Sequence, residues 1–383
     1  MNRGEFLAER CNFSAVRRVL AASPDEDGDI VRLLRWDSFT MRLPLLTFSL
    51  IFLLPIFGVA SARADAASLS APHDVGVTTR EFADPARRNW ADTGPRPIRA
   101  TLWYPSSGGG QPEDFESEGE TTRLRRDGEI AGTKVLPLIL VSHGSGGNVA
   151  QMFWLGRSFA QRGFIVLAVD HNGTPEEELH TTPLTLSDFF GWERPRDLSI
   201  ALDQVLAEPA LAGRIDRERI GAAGFSLGAT TALWLAGARL DPDSLRANSP
   251  PPPPFLAAVI EQRIAFSTTN PLGREAAARA SLSHRDPRVR AVFALAPPMG
   301  AGFTAEGLRE VAVPVHIAVG DGDLVAPADG NAKHFAQHIA NAQLTVLPGE
   351  RGHYLAPIPA EQRRAELREV ADLACAFFER ELR

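Results

Sequence analysis

The chain has 383 residues, 44% hydrophobic and 23% charged, the balance of a folded globular protein rather than a disordered one. A formal net charge of −7 argues against a nucleic-acid binder, which would carry a basic stripe. Only two cysteines are present, Cys11 near the start and Cys375 near the end; with Cys11 in the leader, neither an intramolecular disulfide nor a cysteine metal site is expected.

The first 64 residues read as processing rather than fold. Met41-Arg42 opens a stretch that continues through the apolar Phe48 to Leu54 and ends in the small residues Ala60 to Ala64. These are the parts of a secretory signal peptide, residues 41–64, with cleavage after Ala64 or Ala62. Residues 1–40, polar and charged, are then an extension ahead of a true start at Met41. The rival reading makes the apolar run a membrane anchor. Its length of about 18 residues is marginal for a span, and its prolines weaken it further. The expected location is periplasmic or secreted, with no membrane span in the mature form.

Residues 65–383 alternate strand-like and helix-like segments. Strand-like runs are Val75 to Arg80, Ile98 to Tyr104, Val135 to Ser142, Phe164 to Val169, Ile220 to Ala223, Val289 to Ala296, Val313 to Val319 and Leu344 to Leu347. Several later ones are almost wholly apolar, as in central strands covered on both faces. Helical periodicity fills Val149 to Arg162, Pro195 to Leu206, Ala229 to Leu240, Ala332 to Ile339 and Glu361 to Leu382. This order specifies an α/β fold with an eight-stranded, mostly parallel sheet. Cys375, in the last amphipathic helix, reads as a small core residue.

Three stretches interrupt the rhythm. Residues 106–133 are polar and Gly-rich and read as an exposed loop. Residues 174–194 form a polar and aromatic connection. Residues 241–288 are an insertion containing five consecutive prolines, Pro250 to Pro254, which favour an extended conformation and cannot join a sheet. It reads equally as a partial cap over the site or as a surface excursion.

The chemistry centres on Gly224-Phe225-Ser226-Leu227-Gly228, placed between an apolar strand and a helix-prone run. That context is the nucleophile elbow of a serine hydrolase. A serine hydroxyl needs a base and a carboxylate to orient it, in the chain order Ser, Asp or Glu, His. Asp321 and Asp323 both follow the strand Val313 to Val319; Asp323, deeper in the loop, is preferred and Asp321 is its competitor. The base is His353, 30 residues after Asp323 in a loop beside Gly352. The oxyanion donors are expected to be the backbone amides of Leu227 and of Ser145, the latter within His143-Gly144-Ser145-Gly146-Gly147. His143 is expected to brace that turn. His334 and His338, four apart on a helix, lack a third metal ligand and read as surface residues. His171 and His180 stay open as substrate contacts.

This set of motifs resembles the α/β-hydrolase superfamily. With Arg99 to Pro105, Val169 to Gly173 and Arg194 to Asp197, it is similar more narrowly to bacterial dienelactone hydrolases and platelet-activating-factor acetylhydrolases, over nearly everything from residue 75 onward. The resemblance implies a serine esterase for small-molecule or lipid-linked esters with short acyl chains, needing no cofactor and no metal. Dienelactone hydrolases use a Cys where this chain has Ser226, and neither group carries a Pro-rich insertion like 241–288. The same triad would serve an amide, peptide or polyester hydrolase. A ligand-binding protein without turnover is the rival from another class, marked by a His353 that fails to approach Ser226.

Overall fold

The computed structural model describes residues 73–117, 120–173, 184–252, 254–353 and 358–383. The expected extension and signal peptide, and His180, lie outside the described residues. The strands are β1 (Asp74–Arg88), β2 (Pro95–Gly108), β3 (Gln111–Ser117), β4 (Glu120–Arg126), β5 (Glu129–Ile130), β6 (Leu136–Ser142), β7 (Ile165–Asp170), β8 (Ile215–Phe225), β9 (Val289–Leu295), β10 (Val315–Gly320) and β11 (Ala342–Leu347). They form one 11-stranded sheet in the order β11-β10-β9-β8-β6-β7-β2-β1-β4-β3, with β5 paired to β2. From β7 through β11 every pairing is parallel, whereas β2 meets both β1 and β7 antiparallel. Leu138 to Val141 of β6 are fully buried, which is why that strand reads as an unbroken apolar run.

The main helices are α1 (Phe153–Gln161), α2 (Arg194–Ala207), α3 (Leu227–Ala236), α4 (Pro254–Thr269), α5 (Pro271–Ala278), α6 (Ala332–His338) and α7 (Ala360–Glu381). They cover both faces of the sheet. A Cβ on Gly221 of β8 would run into Phe378 of α7, and one on Gly224 would run into the backbone of α3. Residues three apart on a strand point to opposite faces, so α7 and α3 lie on opposite sides. Cys375 is fully buried on α7, and burial pushes its thiol up to about 12.

The sheet has three more strands than the eight expected, because 106–133 is not a loop. β3 and β4 form an antiparallel hairpin with Glu113 opposite Leu124 and Asp114 opposite Arg123. Its inward positions are few: Leu124 is buried, and Phe115 packs on Phe153 with ring centroids 4.3 Å apart. Charge pairs supply the remaining cross-strand contacts, Arg126 with Glu113 and Arg123 with Asp114. Exposed pairs of this kind are weak, because solvent screens them; the strands stay polar while keeping their register.

The 241–288 insertion contains helices α4 and α5, which follow the proline run. Pro254 opens α4, and Pro271 opens α5 behind an Asn270 cap that accepts from Leu272 N–H at 2.9 Å. The insertion packs on the 184–194 connection: Trp192 Nε1–H donates to Ala276 O at 2.8 Å, Arg263 Nε–H donates to Leu184 O at 3.0 Å, and Phe266 lies 6.1 Å from the Phe190 ring.

The chain passes from β6 to β7 on one side of β6 and returns to β8 on its other side. Loops leaving the carboxyl ends of β6 and β8 therefore diverge and open a crevice at this switch point. In open α/β sheets this is where ligands bind.

Candidate active site

Ser226 sits at the carboxyl end of β8, directly before α3. Its backbone has φ 54° and ψ −125°, a conformation that costs a non-glycine residue about 1–3 kcal/mol. The flanking glycines explain how the turn closes. A Cβ on Gly224 would overlap the Gly228 carbonyl, and one on Gly228 would overlap the carbonyl of Ser142 on β6. The Ser226 amide is fixed by donating to Leu295 O at 2.8 Å, which ties the elbow to β9.

His353 lies in the loop after β11. Its Nε2 stands 2.8 Å from Ser226 Oγ and its Nδ1 stands 2.7 Å from Asp323 Oδ2. The other Asp323 oxygen accepts the amides of Val325 and Ala326 at 2.9 and 2.8 Å. Burial works against ionising Asp323, but the bonds from His353 and these two amides hold its carboxyl below the usual carboxylate range. Phe225 packs on the imidazole with ring centroids 5.0 Å apart. The nucleophile, base and carboxylate are thus in line and all buried.

Asp321 has a different position. Its carboxylate accepts the amides of Gly349 and Arg351 at 3.2 and 3.1 Å, and Gly322 N–H donates to Arg351 O at 3.0 Å. Asp321 therefore ties the loop after β10 to the loop carrying His353 and does not touch the imidazole. Two aspartates separated by one glycine divide the work: one shapes the histidine loop and the other meets the ring.

The loop after β6 lies against the elbow, since β6 and β8 are neighbours with Ser142 opposite Gly224. It is a tight turn closed by Gly147 N–H to Gly144 O at 3.3 Å, with Gly146 at φ 65°. Ser145 is exposed, and its amide donates to no acceptor among the described residues. Leu227 is the first residue of α3, so its amide has no partner within the helix. His143 is buried and braces the turn, with Nδ1 2.8 Å from Gly144 O and Nε2 facing the His171 amide. Burial, together with Arg194 and His171, drives its pKa well below the usual value.

His171 sits behind the turn, in the interior. It is fully buried, with Nε2 2.9 Å from Ser142 Oγ and Nδ1 3.0 Å from Asp197 Oδ2. Burial lowers its pKa to about 4 despite the carboxylate. Asp197 also meets Arg96 and Arg87, at 2.7 and 2.5 Å from its Oδ1. Although burial opposes its charge, Arg96 and Arg87 hold Asp197 well below the usual carboxylate value. Sequence reasoning did not single out this network as a unit. Its one signal was the charge-dense Arg194-Pro195-Arg196-Asp197 at the start of a helix facing the sheet.

His334 Nε2–H donates to Phe303 O at 2.7 Å, and its ring meets that of His338 edge-on, with centroids 4.8 Å apart. Among the described residues no group of three or more His, Cys, Asp or Glu is arranged to hold a metal ion.

No family model matches the chain. It is 34% identical to a cutinase of Thermobifida alba over 134 residues, 33% of this chain and 41% of that protein. It is 32% identical to a cutinase of Thermobifida fusca over 176 residues, 43% of this chain and 49% of that protein. A dipeptidyl-peptidase 5 of Porphyromonas gingivalis is 33% identical over 27% of this chain and 15% of its own length. The chain thus spans about half or less of the length of the curated relatives it matches. Among solved structures, a ferulic acid esterase from Streptomyces cinnamoneus superposes with a TM-score of 0.54 at 22% identity, covering 82% of this chain and 92% of that one. The fold is that of the α/β hydrolases.

Proposed function

We propose that the protein is a serine hydrolase that cleaves carboxylic esters through an acyl-enzyme on Ser226. The observation that carries the reading is the Ser226–His353–Asp323 relay, with 2.8 and 2.7 Å contacts and the nucleophile on a strained elbow. Ser226 Oγ attacks the ester carbonyl carbon as its proton passes to His353 Nε2, and Asp323 stabilises the imidazolium that results. The amides of Leu227 and Ser145 receive the negative charge that develops on the carbonyl oxygen. Collapse expels the alcohol with the His353 proton. Water then attacks the acyl group, giving a proton to His353, and Ser226 leaves protonated.

The cutinases among the relatives support the ester reading over the amide one. They do not support the narrower resemblance to dienelactone hydrolases or platelet-activating-factor acetylhydrolases. A short acyl group, free or carried on a lipid or polymer, is the proposed substrate class. The enzyme acts outside the cytoplasm, on the reading of residues 41–64 as an export signal; among the described residues no helix is long and apolar enough to cross a membrane. The test is Ser226→Ala with p-nitrophenyl esters of rising acyl length and a fluorophosphonate probe. Turnover and labelling both disappear in the variant if the reading holds; retained labelling contradicts it.

A further inference from the structure

Resting on the esterase reading, we propose that Arg194 and Asp188 are positioning residues that aim the Ser145 amide at the oxyanion. Neither touches Ser226, and both sit behind the turn that carries Ser145.

Arg194 opens α2 and is about 1% exposed in its side chain, as is Asp188 at about 2%. The guanidinium spends its donors on this turn and its neighbours. Nη1 donates to His143 O at 2.9 Å, Nη2 to Asp188 Oδ1 at 2.8 Å and Nε to Ser187 O at 3.2 Å. Asp188 Oδ1 also accepts the Gly146 amide at 3.3 Å. The clamp therefore grips the carbonyl two residues before Ser145 and the amide one residue after it. Asp188 is itself fixed by the reciprocal cap with Thr185, accepting Thr185 N–H at 3.3 Å and donating its own amide to Thr185 Oγ1 at 3.1 Å.

The arrangement leaves the Ser145 amide with no acceptor among the described residues. Gly144 N–H goes to Gln151 Oε1 at 2.8 Å, Gly146 N–H to Asp188 and Gly147 N–H to Gly144 O. Backbone dipoles stabilise a developing oxyanion only when held in place before the reaction. A turn with a left-handed glycine needs outside restraint, and a buried ion pair supplies it. The pair is expensive to bury for stability alone; restraint of the 143–144 and 145–146 peptide groups, on either side of the one that carries the Ser145 amide, is what it provides here. The neighbouring Ser142–His171–Asp197 chain holds the end of β6 in the same way, one residue before His143.

The test uses the full chain with Asp188→Asn, Arg194→Gln and Arg194→Lys. kcat and KM are measured on a p-nitrophenyl ester, with kcat normalised to sites titrated by excess fluorophosphonate so that unfolded protein is not counted. Affinity for an alkylboronic acid, which forms a tetrahedral anion on Ser226, is measured alongside. For Asp188→Asn and Arg194→Gln the inference expects kcat to fall about 10- to 100-fold, the scale of a misaimed catalytic group. KM should stay within threefold and boronate affinity should weaken by the same factor as kcat. Arg194→Lys, which keeps one charged donor, should retain more kcat than Arg194→Gln. Normalised kcat within twofold of the parent, or a loss carried by KM with boronate affinity unchanged, overturns the inference. Absence of ester turnover and fluorophosphonate labelling in the parent chain overturns the esterase reading itself.

Discussion

Replacing Asp323 separates orientation of the base from stability. Oδ1 accepts two backbone amides, at 2.9 and 2.8 Å, and Oδ2 meets His353 Nδ1 at 2.7 Å. In Asp323→Asn the amide carbonyl must stay with the two backbone donors, so the NH2 turns towards Nδ1. Two donors then face each other unless the imidazole places its proton on Nε2. In that tautomer Nε2 cannot take the proton of Ser226. Comparable changes in other Ser-His-Asp sites lower kcat by about four orders of magnitude, or about 5.5 kcal/mol at 1.36 kcal/mol per decade. Stability should change little, since both amide bonds survive. Asp323→Ala removes the acceptor for all three donors, each costing about 1–3 kcal/mol when stranded. It should therefore match the Asn variant in lost activity but unfold at a clearly lower temperature. The assay is kcat on a p-nitrophenyl ester beside thermal unfolding followed by circular dichroism. A kcat for Asp323→Asn within tenfold of the parent would refute the reasoning, as would equal melting temperatures for the two variants.

Two further outcomes concern the core. His316 on β10 is buried between Phe293 and Phe377, with Nε2 2.9 Å from Thr345 Oγ1; burial, aided by Arg380, lowers its pKa to about 4. A folded-state value below that of the unfolded chain means the protonated form is disfavoured by folding. Stability is full above about pH 6.5 and falls as pH drops towards about 4, by up to about 3 kcal/mol. His316→Gln should flatten the melting temperature between pH 6.5 and 4; an unchanged slope would count against the assignment. Cys375, buried and with its thiol pushed up to about 12, should resist a disulfide reagent in the native state and react in denaturant. Rapid native labelling would contradict the packing of α7.

Where hydrophobic pattern carries the information, the fold can be read from the chain. Val135 to Ser142, Val289 to Ala296 and Val313 to Val319 are apolar because both sheet faces are covered, and each became a central strand. β3 and β4 carry no apolar alternation, because charged pairs such as Glu113 with Arg126 occupy their cross-strand positions. Ser226 and His353 could be chosen from glycine spacing and chain order. The choice between Asp321 and Asp323 depends on which carboxylate the 349–351 backbone captures, a contact made across 28 and 30 residues. The Arg194–Asp188 clamp was hidden for another reason. Charged residues near a helix start usually face solvent, whereas Arg194 and Asp188 are buried against the loop that follows β6.

The most direct test of the central claim is the intact mass of the protein quenched with acid during turnover of p-nitrophenyl acetate. The account expects a covalent adduct of one acetyl group, mapped to the peptide containing Ser226, absent in Ser226→Ala and formed far more slowly in a variant of His353, which lacks the base that acylation needs. An acetyl adduct on another residue that turns over at the catalytic rate, or full turnover in Ser226→Ala, would contradict it.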